Sequence, residues 1–144
     1  MAATKKSYEG FSAEEREAMK DRAKELKAAS GRGKKDPLAD VLATIAEMPA
    51  ADRVLAERVH AVITENAPAL TAKLWYGQPA YALNGKVVCF FQAAAKFKTR
   101  YATLGFSDEA KIDDGSMWPT AFGLTKMTAA DEKRLAELVR KAVG

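Results

Sequence analysis

A single cysteine, Cys89, and a single histidine, His60, stand in a chain of 144 residues. One cysteine excludes an intramolecular disulfide and cannot build a zinc site alone, because structural zinc takes four Cys or His ligands. Set inside Val87-Val88-Cys89-Phe90-Phe91, it reads as a small buried hydrophobe; a nucleophile needs a polarised, accessible thiolate. His60 sits beside the apolar stripe of an expected helix, without a Cys, Asp or second His at ligand spacing, and reads as a packed or hydrogen-bonded side chain. No apolar run approaches the length of a membrane span, and the N-terminal Met-Ala-Ala-Thr-Lys-Lys-Ser-Tyr-Glu has no secretory apolar core. A cytoplasmic protein with no membrane partner is expected. Catalytic signatures are missing too: no Gly-x-Ser-x-Gly elbow, P-loop, Rossmann fingerprint, His-Glu-x-x-His or Cys-x-x-Cys occurs. No catalytic residue is assigned, and an enzyme has no positive argument.

What is present is ordinary in bulk and uneven in charge. Hydrophobic residues make up 48% and charged residues 29%, which fits one globular domain with a real core and argues against disorder. The net charge is +4, but residues 1–36 hold ten Lys and Arg against seven Asp and Glu, so most of the excess lies in the first quarter. The remainder is close to neutral, a poor footprint for a dedicated nucleic-acid binder.

The chain is organised around Trp75 to Phe106. Asn84-Gly85 between two apolar runs is a strong hairpin signal, because a type I′ turn needs φ > 0 at both central residues. A third β-type run, Thr99 to Phe106, extends the hairpin to an antiparallel meander, and a short β segment is expected near Ala121 to Leu124. The Pro in Gly77-Gln78-Pro79 removes a ladder donor and predicts an edge strand or a bulge. In Lys86 to Ala93, Val87, Cys89 and Phe91 share one face while Val88 and Phe90 share the other. Apolar residues on both faces mean that both are covered. The N-terminal helix, a second subunit or a ligand cavity could cover the second.

Helices flank the sheet. Ser12 with Glu15 forms a capping box opening a helix to about Ser30, with a thin stripe of Met19, Ala23 and Leu26. Ser30-Gly31-Arg32-Gly33-Lys34-Lys35 reads as a flexible connector that divides residues 1–35, a tail with an appended helix and basic linker, from a domain over 36–144. Asp36 caps the next helix with Pro37 at its first position, and Leu38, Val41, Leu42 and Ile45 form its core stripe. Pro49 stops it. A longer helix from Ala51 to Asn66 buries Leu55, Val59, Val62 and Ile63. Thr128 caps a last helix that turns Leu135, Leu138, Val139 and Ala142 inward. The fold class is therefore α+β: four to five antiparallel strands against a helical hairpin and a C-terminal helix, with one extra N-terminal helix.

Two candidate surfaces follow. Trp75, Tyr76, Gln78, Tyr81, Phe90 and Trp118 offer large amphipathic surfaces for a small-molecule pocket or a self-association face. Lys96, Lys98 and Arg100 alternate with Phe97, Thr99 and Tyr101; if extended, they put three cations on one face. They read first as the charged guard of a strand edge and second, with Arg32, Lys34 and Lys35, as phosphate contacts for nucleic acid. Asp108, Glu109, Asp113 and Asp114 read as solvated loop acids, since they do not match a calcium loop.

Ala67-Pro68, then Trp75-Tyr76-Gly77-Gln78-Pro79-Ala80-Tyr81, Asn84-Gly85-Lys86-Val87-Val88 and Lys96-Phe97-Lys98 together resemble the YdhG-like bacterial family, a domain of unknown function treated as a relative of the frataxin-like proteins. The resemblance covers residues 38 to 143, and its most specific element is Tyr76-Gly77-Gln78-Pro79-Ala80. The helix and linker before it look like an extension found in a subset of that family. The resemblance implies an α+β fold and, for some members, iron chaperoning. An acidic ridge like that of frataxin would draw here on Asp36, Asp40 and Glu47 alone, so no iron ligand is assigned and iron is carried as a possible cargo of the resemblance only. The expected activity is that of a non-enzymatic accessory protein binding a small ligand, a metal, a protein partner or a second copy through the second face of the sheet. A nucleic-acid-associated protein and a frataxin-type iron chaperone are the alternatives.

Overall fold

The structure is a computed structural model that describes residues 12–30 and 36–144. The tail and the linker residues Arg32, Lys34 and Lys35 lie outside the described residues. Among the described residues, five helices and five strands follow in chain order. These are α1 (Ala13–Ser30), α2 (Pro37–Ala46), α3 (Ala50–Asn66), β1 (Thr71–Trp75), β2 (Gln78–Leu83), β3 (Lys86–Gln92), α4 (Ala94–Phe97), β4 (Ala102–Phe106), β5 (Ala121–Leu124) and α5 (Ala129–Ala142). The strands make one antiparallel meander in the order β1-β2-β3-β4-β5. The α+β expectation holds.

Local chemistry starts three of the helices. In α1, the Ser12 hydroxyl accepts from Glu15 N and the Glu15 carboxylate accepts from Ser12 N, both at 3.0 Å, closing the expected capping box. Asp36 accepts from Leu38 N with Pro37 at the first helical position. Thr128 and Asp131 reciprocate at the start of α5. The core lies between the sheet and helices α2, α3 and α5. Val41, Ile45, Leu55, Val59, Val62, Ile63, Leu135 and Val139 meet Tyr81, Val88, Cys89, Phe91, Leu104 and Phe106 there. Each fully buried aliphatic or aromatic side chain contributes about 1.5–3 kcal/mol.

Several expectations are corrected. In α2 only Val41 and Ile45 are buried, while Leu38 and Leu42 are 42% and 47% exposed; the sheet is met by a narrower stripe than the spacing implied. In α1 it is Ala18 that is buried and Ala23 that is exposed; the Leu26 side chain lies outside the described residues. Pro79 sits in an interior strand. It faces Leu74 across β1, and the β2–β3 pairing begins one residue later at Ala80, so the missing N–H removes no rung of the ladder. The irregularity falls instead at Tyr81/Ala82, whose partners are Cys89 and Val87. Val88 is the extra residue. The bulge turns it into the core with Cys89, so the second face of β3 carries Phe90 without Val88.

Candidate functional site

The Tyr76-Gly77 turn is the feature on which the site is built. Tyr76 and Gly77 have φ of 53° and 75°, the signs of a type I′ turn, and they join β1 to β2 with Trp75 opposite Gln78. Asn84 and Gly85 (φ 53° and 83°) make the second such turn, as expected. The first was not foreseen, because the run from Trp75 was read as the start of a strand. The signal was there: an Xaa-Gly pair between two apolar stretches. Thr71–Trp75 is consequently a strand of its own, at the edge of the sheet.

Strand alternation places Trp75, Gln78 and Phe90 on the sheet face opposite the core. Trp75 packs edge-on to Tyr76 with ring centres 4.9 Å apart and tilted against Phe90 at 5.3 Å. Phe90 lies over Gly105, where a side chain would collide with its ring. Four of the six aromatic and amide candidates thus come together: Trp75, Tyr76, Gln78 and Phe90. Tyr81 does not join them. It is buried in the core, its hydroxyl 2.8 Å from His60 Nδ1, and burial pushes its phenol far above the ordinary value. Trp118 packs on the fringe of the core, within the loop between β4 and β5. Sequence proximity grouped residues that strand alternation separates.

Helix α1 leans on this turn through charge. Lys96 Nζ donates to Asp21 Oδ2 at 3.0 Å and to the Tyr76 carbonyl at 3.1 Å. Arg22 lies over the Tyr76 ring at 5.5 Å, and Lys98 pairs with Glu14 at 2.7 Å. Lys98 holds the Glu14 carboxyl below its ordinary value through that hydrogen bond, and Glu14 raises Lys98 in return. Ala18 is the buried residue between them.

The expected extended row Lys96-Lys98-Arg100 is therefore corrected. Residues 94–97 form a single helical turn, α4, closed by Lys98 at φ 54°. The cause is a residue that the pattern did not single out. Asp52, at the start of α3 and 5% exposed, accepts from Ala94 N and Ala95 N, each at 3.0 Å. A buried carboxylate on two successive N–H groups caps the turn and forbids the strand. Lys96 and Lys98 are engaged with acids of α1, and Arg100 lies over the Tyr101 ring at 5.1 Å. The three cations share no face.

Beside the turn opens a cleft of about 530 Å³. Its walls are the end of α2 (Thr44, Glu47, Met48), the hairpin (Leu74, Gly77, Gln78, Pro79), the end of β3 (Phe91) and α4 (Ala95, Lys96), with Asp21 of α1 at its edge. Gln78 is 6% exposed, and its Oε1 is buried without a hydrogen-bond partner among the described residues. Elsewhere the reactive side chains are occupied. Burial pushes the Cys89 thiol up to about 12, so it is a protonated core residue. Burial lowers His60. Asp108, Glu109, Asp113 and Asp114 are exposed, and no three His, Cys, Asp or Glu side chains among the described residues converge to hold a metal. No described helix is long and apolar enough to cross a membrane.

No protein family, curated protein or solved structure matches the chain.

Proposed function

We propose that this chain is a non-enzymatic accessory protein of the YdhG-like kind, binding a small molecule in the cleft beside the Tyr76-Gly77 turn. The observation that carries the reading is the cleft itself, about 530 Å³ and walled by the end of α2, the β1–β2 hairpin and α4. The volume falls within the range of small-molecule sites, and the mixture of Met48, Leu74, Pro79 and Phe91 with a few polar groups is the composition such sites use. The Trp75–Phe90 stack stiffens the same hairpin from the second face, so the cleft has one firm wall. A frataxin-like iron chaperone would draw on Asp36, Asp40 and Glu47. Asp36 is already the cap of α2, which leaves two carboxylates a helix apart.

The test is a protein-observed NMR screen of a fragment library against the wild type and Ala95→Trp. Ala95 lines the cleft and is exposed, so the indole fills the cavity without disturbing the core. Hits should move the amides of Gly77, Gln78 and Phe91 saturably in the wild type and lose that effect in the variant, with unchanged melting temperature. Hits that map elsewhere, or that bind the variant equally well, would sink the reading.

A further inference from the structure

The polar groups around the cleft are not neutral in sign. Helix α2 points its C-terminal end at it, with Thr44, Glu47 and Met48 among the lining residues. That end carries the negative pole of the helix dipole. It has no basic residue in its last turn, and its C-cap is itself an acid, Glu47. Asp21 adds a second carboxylate. The cation on the lining, Lys96, is held by Asp21 and by the Tyr76 carbonyl, so it offsets Asp21 and leaves Glu47 unanswered. The opposing positive pole at the start of α3 is occupied as well: Asp52 lies in that first turn with its carboxylate on Ala94 N and Ala95 N. The floor between these groups is apolar, made by Met48, Leu74, Pro79 and Phe91.

We infer that the cleft selects a small organic cation, an amine or guanidine carried on an apolar body. This rests on the small-ligand reading above and adds its charge. The ammonium or guanidinium N–H groups sit at the Glu47 and α2 end, where both the carboxylate and the helix pole favour them. The apolar body covers Leu74, Pro79 and Phe91. An anion of the same shape meets a carboxylate and a helix C-terminus, and is repelled on both counts. Glu47 is exposed, so the discrimination is a screened surface effect of moderate size.

The test uses three probes of one shape: phenethylamine, phenethyl alcohol and hydrocinnamate. Each is titrated into the full-length protein while the amide resonances of Gly77, Gln78 and Phe91 are followed. The amine should bind about three- to tenfold tighter than the alcohol, with hydrocinnamate weakest, as expected for one or two partly screened charges. Glu47→Gln should weaken the amine about threefold and leave the alcohol unchanged; Glu47→Lys should invert the order of amine and acid. Both changes are at an exposed position, so the fold is retained. If alcohol or acid equals the amine at the same amides, the cleft is a ligand site and the cation inference is overturned. If none of the three moves those amides, the inference and the ligand reading beneath it both fall.

Discussion

Gly77 carries two requirements at once. Its φ of 75° belongs to the left-handed region, and a Cβ there would run into Lys96 Nζ and Asp21 Oδ2. Gly77→Ala should therefore lose about 1–2 kcal/mol from backbone strain alone, read as a lower urea midpoint at unchanged slope. It should also push the Lys96–Asp21 pair off the turn; an unchanged midpoint would mean that the hairpin tolerates the side chain and is looser than its geometry. His60 gives a residue-scale prediction in pH. Burial lowers its folded value below the ordinary 6.5, so between those two values the unfolded chain binds more protons than the folded one. Stability should thus fall as pH drops from the ordinary value towards the lower folded one and then level off. In His60→Gln that portion of the pH dependence of the melting temperature should vanish. If the slope survives the substitution, another group causes it.

Asp52 shows how one side chain decides the identity of an element. Two part-buried N–H groups depend on its carboxylate, and a donor left without a partner away from water costs about 1–3 kcal/mol. Asp52→Ala should destabilise the protein by about 2–4 kcal/mol and speed amide exchange at Ala94 and Ala95 above the global rate, whereas Asp52→Asn should keep part of the cap. Equal exchange in all three proteins would show that α4 holds without it. This pairing, forty-two residues apart in sequence, explains the limit of sequence reading here. The Lys96–Arg100 alternation satisfied the strand rule, and no local signal opposed it; the opposition came from the start of α3. What local rules govern was legible: the three helix caps, the Asn84-Gly85 turn, the β5 segment and the inward faces of α3. The bulge at Val88 and the interior place of Pro79 depend on which strand pairs with which, and no period-2 count contains that. Of the candidate site, Trp75, Tyr76, Gln78 and Phe90 come together, while Tyr81, grouped with them by sequence proximity, is buried in the core because the Tyr76-Gly77 turn resets the strand parity.

At the scale of the whole molecule the open question is how firmly α1 is held. Its seat on the described surface is mostly polar: Glu14 on Lys98, Asp21 on Lys96, Arg22 over Tyr76, with Ala18 as the buried residue between them. Exposed ion pairs are weak individually and fade with salt, so a helix seated this way should exchange between docked and undocked states far more often than the core unfolds. The pH signs agree. The contribution of Glu14, whose folded value is depressed, is present above its ordinary range and lost as pH falls through the folded value. That of Lys98, whose folded value is raised, is lost as pH rises through its folded value. Docking should accordingly be tightest at intermediate pH. Raising salt to about 1 M, where the screening length falls to about 3 Å, should accelerate amide exchange over residues 14–23 and leave Val41 and Tyr81 unaffected. Lys98→Glu should do the same at low salt, and the double exchange Lys98→Glu with Glu14→Lys should restore protection. Failure of the double variant to recover would place the hold in apolar contact and not in charge. Because Asp21 is part of the cleft wall, undocking α1 widens the cleft and releases Lys96 from its partner. Ligand affinity should then track α1 protection across the salt series.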